Sequence, residues 1–292
     1  MSNNKIFGIY GELIKSRQTF LLLYTAVFAY LMTAWPNMFN WINFLILTLS
    51  LFFAISGSTL LNMYVDRDID SIMERTKDRP LPSGRISAKS VLINGIVLSA
   101  VGIIIPIFVI GWLTGLIIFL GFFFDVVVYS MFLKRKTRFS IIFGGISGGL
   151  PALAGRVAVI HSIDRIGILL LLFVLAWIPV HILTLALIPK SLEGYREAKV
   201  PMWPVVRSKI ETMRVIAFSG FLCAGVLLMI AHYLAVSVIM QLLLSLFCGV
   251  LILVVLVDLV KPTEKLTFLI FKFASMFMVL GFLLLFIGVI FQ

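Results

Sequence analysis

Nine apolar runs, each long enough to cross a bilayer, follow one another near residues 19–36, 41–65, 88–110, 112–133, 139–161, 165–189, 210–233, 236–258 and 267–291. A hydrophobic stretch of about 18 residues or more reads as a transmembrane helix, because it spans the hydrocarbon while satisfying its own backbone hydrogen bonds. A membrane barrel is disfavoured, since its strands would be about 10 residues long and would alternate apolar with polar positions. The runs here are apolar nearly all round. The pattern predicts an all-α polytopic membrane bundle of nine transmembrane helices, a single domain over 1–292. Division of 88–133 into two spans rests on Gly111-Trp112 and on the length of the run. With 61% hydrophobic and 13% charged residues, the chain has too little polar surface for a soluble globule. Cys223 and Cys248 both lie in apolar runs, which points to buried free thiols rather than to a disulfide or a thiolate metal site. No small-residue cleavage site follows the first run, so no removable signal peptide is expected.

The charges test the span count. All of the 24 Lys and Arg except Arg156 and Arg165 fall in the N-terminal segment or after runs two, four, six and eight. By the nine-span count these positions share one side of the membrane, and the positive-inside rule makes that side, with the N-terminus, cytoplasmic. The net charge of +11 is therefore topological first and gives no case for nucleic acid. Connections on the other side are short, whereas those after runs two and six are about twenty residues long and mix acids with bases. Such loops are where chemistry is expected. Their placement four spans apart suggests two pseudo-repeated four-helix units plus a ninth helix.

The first long loop is entered through Asn62-Met-Tyr-Val-Asp66-Arg-Asp-Ile-Asp70. Residues four apart stack on one helix face, so Asn62, Asp66 and Asp70 form an oxygen-bearing stripe that Glu74 prolongs, with Asp68 turned away. Hard oxygen ligands of this kind suit Mg²⁺, which completes its shell with water and substrate phosphate. The competing reading is a solvated acidic helix end paired with Arg67, Arg75 and Lys77. The stripe grows directly out of a membrane span, where acids are functional candidates by default, and this favours the metal. Glu193 and Glu197 repeat the four-residue spacing in the second loop and are candidates for a second Mg²⁺; alternatively they are a loop-helix pair balanced by Arg196 and Lys199. Lys134, Arg135, Lys136 and Arg138 form an acid-free run that reads either as a topological anchor or as a holder of diphosphate oxygens.

These residues resemble a known family. Asn62-x-x-x-Asp66-x-x-x-Asp70 is similar to the first aspartate-rich motif of the intramembrane prenyltransferase superfamily named after 4-hydroxybenzoate polyprenyltransferase. The longer strings at 62–85, 133–137, 144–151, 177–186 and 200–206 resemble its protoheme IX farnesyltransferase (haem O synthase) branch. The resemblance implies Mg²⁺-dependent transfer of a farnesyl group from farnesyl diphosphate to a vinyl group of protoheme IX within the bilayer. It implies catalysis around Asn62, Asp66 and Asp70, with Glu193 and Glu197 at the metal. Lys77, Arg79, Lys134, Arg135, Arg196 and Lys199 would then meet the diphosphate, and His181 and Arg156 the haem. Aromatic faces would stabilise the allylic cation.

Two positions depart from the family pattern. Gly194 stands where an Asp commonly precedes the tyrosine of the second loop, and Arg156 stands where a tryptophan usually continues the glycine-rich fifth span. An arginine in hydrocarbon needs an acid or an interior ligand; Asp125 in span four is the expected partner, a haem propionate the alternative. His181 is read either as a helix-packing hydrogen bonder or as a haem contact, and Pro179 is expected to loosen its helix. A related prenyltransferase acting on a quinone precursor or a lipid alcohol is the nearest alternative. A secondary transporter is the alternative from another class, although transporters place their sites near the midplane and these acids cluster at one face.

Overall fold

A computed structural model describes residues 16–74 and 76–292. Expectations resting on Lys5, Lys15, the Arg17 side chain and Arg75 lie outside the described residues, as does the expectation about a signal peptide. The described elements are α1 Ser16–Ala34, α2 Trp41–Val65, α3 Arg67–Ile72, α4 Ala88–Val109 and α5 Trp112–Phe122. A π-helical segment, Phe123–Leu133, continues α5. Then come α6 Ser140–Ile160, α7 Arg165–Ala186, α8 Pro189–Glu197, α9 Trp203–Val206, α10 Lys209–Tyr233, α11 Val238–Val260 and α12 Glu264–Ile290.

Among the described residues eight helices are long and apolar enough to cross a membrane, and α1 is a shorter ninth apolar helix. The chain is an integral, multi-pass membrane protein, all-helical as the apolar runs predict. The break between α4 and α5 falls at Gly111, whose φ of 149° is open to glycine and unfavourable for an L side chain. Polar residues start the spans where the apolar pattern begins. Asn40 accepts from the Asn43 amide, Ser87 from Ser90 and Thr263 from Leu266, each satisfying an N-terminal N–H that the helix itself leaves orphaned. Ser208 and Glu211 close a reciprocal capping box at the head of α10.

Helix α6 packs against α1, α5 and α7, and α7 against α10 and α12, so these two helices join the halves of the bundle. One apolar cluster is built mainly from α7, α10, α11 and α12, around Phe173, Phe277 and Phe282. A second gathers α1, α2, α5 and α6 around Tyr30, Leu47 and Ile117, and a small third one holds Leu60, Met63, Leu81 and Val91. Without a hydrophobic drive between helices in lipid, close approach depends on small residues. The clearest instance is α2 on α4, where a Cβ at Gly102 would stand 2.4 Å from the Ser50 carbonyl oxygen and the Ala54 nitrogen. Both cysteines are free and buried, as their apolar context predicts.

Candidate active site

The helix that carries the first motif does not run straight through it. α2 ends at Val65, Asp66 (φ −92°, ψ 7°) steps out of helical geometry, and α3 resumes at Arg67. The four-residue ladder nonetheless survives the step, because the Asp66 amide donates to the Asn62 carbonyl (2.9 Å) and the Asp70 amide to the Asp66 carbonyl (2.8 Å). Ile55, Ser58, Asn62, Asp66 and Asp70 therefore recur along one wall of a cavity of about 910 Å³, near the upper end of small-molecule sites at about 300–1,000 Å³. Asp68 is exposed and turned away as predicted, held by Arg135 at 2.6 and 2.7 Å. That hydrogen bond is the main reason its carboxyl falls from 3.8 to about 2.

Glu74 does not prolong the stripe. α3 stops at Ile72, the extended backbone at Met73 turns the chain, and Glu74 points into solvent against Lys77. Arg79 instead reaches back into the cavity and meets Asp70 at 2.8 Å. Asp66 pairs with Lys134. Burial lowers the proton affinity of the Lys134 ammonium, but Tyr129 and Asp66 together outweigh it and leave its pKa raised, so the group is cationic.

Lys134 arrives at this wall through the π-helical segment. Its amide donates to the Tyr129 carbonyl at 2.8 Å, an i to i−5 bond, which stacks residue 134 over residue 129. An α-helical turn would have stacked Leu133 there instead. Tyr129, Ser130 and Lys134 consequently all line the cavity, with the ammonium 5.8 Å from the Tyr129 ring centre. Glycine at 144 makes room for that ring, since a Cβ there would lie 2.8 Å from it.

The buried acids sit among enough cations to be tolerated, and they keep unused acceptors. Asp66 and Asp70 are only 5% and 4% exposed, yet the Oδ1 atoms of Asn62 and Asp66 are buried with no hydrogen-bond partner. A buried acceptor left unsatisfied is costly, so two of them one turn apart fit a ligand cation of the hard, oxygen-seeking kind. The charged residues lining the cavity are Asp66, Asp70 and Asp125 against Arg79, Lys134 and Lys272. Such a balanced wall cannot hold a polyanion by itself, whereas a divalent cation brought with it supplies the missing charge.

The cavity is also lined by Trp177, Ile178, His181, Ile182 and Leu185 of α7 and by Phe271, Lys272 and Ser275 of α12. α7 runs through Pro179 as one helix. The His181 ring is sandwiched between Trp177 and Phe271, at 4.6 and 4.7 Å between centres, and its Nδ1 lies 3.3 Å from the Ser275 hydroxyl.

Other expected site residues stand elsewhere. Glu193, Arg196, Glu197 and Lys199 are exposed and do not line the cavity; α8 turns Gly194 inward onto Met73 and offers the Tyr195 ring to the cavity. The structure thus does not bring the second acidic pair to the first. Lys77 and Arg135 are engaged outside the cavity by Glu74 and Asp68. Arg156 is not partnered by Asp125. It lies in the last turns of α6, so its guanidinium takes the nearest acid, Asp164 at the start of α7 (2.7 and 2.6 Å), and Thr33 at 3.2 Å. Burial raises the Asp164 carboxyl, but the Arg156 guanidinium and the Gly167 and Ile166 amides together outweigh it and the pKa ends lowered. Asp125 instead accepts from Asn62 Nδ2 at 2.8 Å. Tyr129, Tyr195 and Lys272 line the cavity without having been expected there, and so does Asp125, which was expected only as the partner of Arg156. Only Asp125 left a usable signal, as the one acid inside span four.

Residues 22–281 match the UbiA prenyltransferase family. Over 195 residues the chain is 42% identical to the protoheme IX farnesyltransferase of Archaeoglobus fulgidus, covering 67% of each chain. It is 41% identical over 210 residues to that of Korarchaeum cryptofilum (72% of this chain, 69% of the relative). With protoheme IX farnesyltransferase 1 of Picrophilus torridus it shares 39% over 232 residues (79% and 77%). Its fold resembles a structure of digeranylgeranylglyceryl phosphate synthase, with a TM-score of 0.81 at 20% identity, over 97% and 98% of the two chains. A UbiA homologue from Archaeoglobus fulgidus bound to GPP and Mg²⁺ superposes with a TM-score of 0.69 at 15% identity, over 95% and 99%. A cavity lined by an Asn-Asp-Asp ladder within a bundle of this fold, and a family match over most of its length, make the chain a member of the UbiA prenyltransferase family.

Proposed function

We propose that the chain transfers a farnesyl group from farnesyl diphosphate to a vinyl group of protoheme IX. What supports the substrate pair is the set of relatives near 40% identity that carry that activity in their names. What carries the site is the pair of buried, unpartnered oxygens of Asn62 and Asp66 on the cavity wall. Mg²⁺ held by Asn62, Asp66 and Asp70 would neutralise charge on the departing diphosphate. Lys134 and Arg79, already at that wall, would take diphosphate oxygens by charge-assisted hydrogen bonds. The allylic C–O bond breaks with its electron pair leaving on the diphosphate, and the terminal vinyl carbon forms the new C–C bond. Water then adds to the carbon beside the macrocycle and releases a proton. The apolar and aromatic lining, with Trp177, Phe271 and Tyr129, keeps water from the first cation and offers it ring faces.

His181 is the acceptor-side group. Stacking covers both faces of its imidazole, so a bond to haem iron would be made in the ring plane from Nε2, with Ser275 on the other nitrogen. The motif loops would lie on the cytoplasmic face. Purified protein supplied with farnesyl diphosphate, protoheme and Mg²⁺ is expected to release diphosphate and to yield a haem heavier by one farnesyl group plus water. Diphosphate release that responds to a quinone precursor or lipid alcohol and not to haem would transfer the proposal to those acceptors.

A further inference from the structure

We infer that Asp125 is a positioning residue that sets the Asn62 amide for metal binding. Asn62 and Asp125 belong to different spans, sixty-three positions apart, and meet through a 2.8 Å bond from Asn62 Nδ2 to Asp125 Oδ2 at the cavity wall. An amide has one donor end and one acceptor end. A carboxylate accepts only, so Asp125 compels the nitrogen to face it and leaves Oδ1 on the other side of the amide. That Oδ1 is one of the two buried, unpartnered oxygens of the wall, and the other, on Asp66, stands one helical turn away. Without Asp125 the amide can rotate and offer N–H to the cation, a repulsive contact. Partners that orient a ligand in this way commonly set metal affinity by about 10–100-fold.

The inference rests on the reading of Asn62 as a metal ligand, and the test separates the two. Mn²⁺ is titrated into the purified full-length protein with inorganic diphosphate present, and binding is followed by electron paramagnetic resonance. Asp125→Ala is expected to weaken Mn²⁺ binding by about tenfold or more. Asp125→Asn, which keeps an acceptor oxygen for Asn62 Nδ2, is expected to stay within a few-fold of the parent. Thermal melting of both variants should match the parent. If the Ala variant does not fold, Asp125→Leu, which fills the volume without an acceptor, takes its place. Parent-like Mn²⁺ binding by the Ala or Leu variant overturns the inference. Loss of binding in a folded Asp125→Asn also overturns it, since the charge and not the acceptor would then matter. Parent-like binding in Asn62→Ala would instead overturn the metal reading of Asn62; loss there with none in Asp125→Ala removes only the positioning role.

Discussion

Asp66 and Asp68 stand two positions apart and meet opposite surroundings. Asp66 is buried at the cavity wall, with one oxygen on Lys134 and the other unpartnered. Asp66→Asn keeps its shape and removes its charge, so turnover is expected to fall to background while insertion and yield are unchanged. Near-normal diphosphate release by that variant would sink the metal reading. Asp68 is mostly in water, its carboxyl lowered to about 2 chiefly by the Arg135 hydrogen bond. A carboxylate lowered on folding contributes stability above its unfolded pKa of 3.8 and loses it as pH falls toward 2. Exposure limits that contribution to under about 1 kcal/mol. Asp68→Asn is therefore expected to leave activity intact and to lower the melting temperature slightly at neutral pH, a difference that fades in acid. His181→Ala is expected to shift the absorbance of bound haem and raise the KM for haem while farnesyl diphosphate binding changes little. An unchanged haem spectrum with lowered stability would assign the ring to packing between Trp177 and Phe271. At this scale the ladder of Asn62, Asp66 and Asp70 was legible, because i,i+4 spacing alone determines a shared face. The partner of Arg156 was not, because an ion pair depends on which helix ends meet.

The π-helical segment is the element on which the basic side of the site turns. Its wider winding brings residue 134 over Tyr129, where regular α-helix would bring residue 133. Exchanging the two residues, Leu133→Lys with Lys134→Leu, leaves composition and hydropathy as they are. Activity is expected to fall on the order of a hundredfold, the cost of displacing a contact group at a reacting centre. Activity kept by the exchanged protein would show that the segment winds as an α-helix. Apolar periodicity cannot reveal such a register, because a run that is hydrophobic all round looks the same at either winding. The end of α3 was hidden for a related reason. The turn at Met73 is fixed by packing, with Ile69 and Met73 buried in the larger core, and it is this turn that sends Glu74 outward.

Across the whole molecule, the cavity takes Arg79 from the first long loop and Lys134 from the basic run after the π-helical segment, which makes orientation a functional question. Ser83 lies exposed in the first long loop, and the native cysteines are buried. Ser83→Cys is expected to react with a membrane-impermeant thiol reagent from the cytoplasmic side of sealed vesicles and from that side alone. Labelling from the opposite side would invert the topology drawn from the positive-inside rule.

The amino-acid sequence by itself determined that this chain is a membrane helical bundle, how its spans divide, and which oxygen-bearing stripe forms its candidate metal wall. Those properties follow from local spacing and from the cost of exposing backbone or charge to lipid. Tertiary structure alone decided which charges reach the cavity. Lys134 enters through a π-helical register, Arg79 folds back onto Asp70, Asp125 meets Asn62, and Glu193 and Glu197 stay outside. Each of these depends on contacts between elements distant in sequence or on helix winding, and neither leaves a mark in hydropathy or residue spacing.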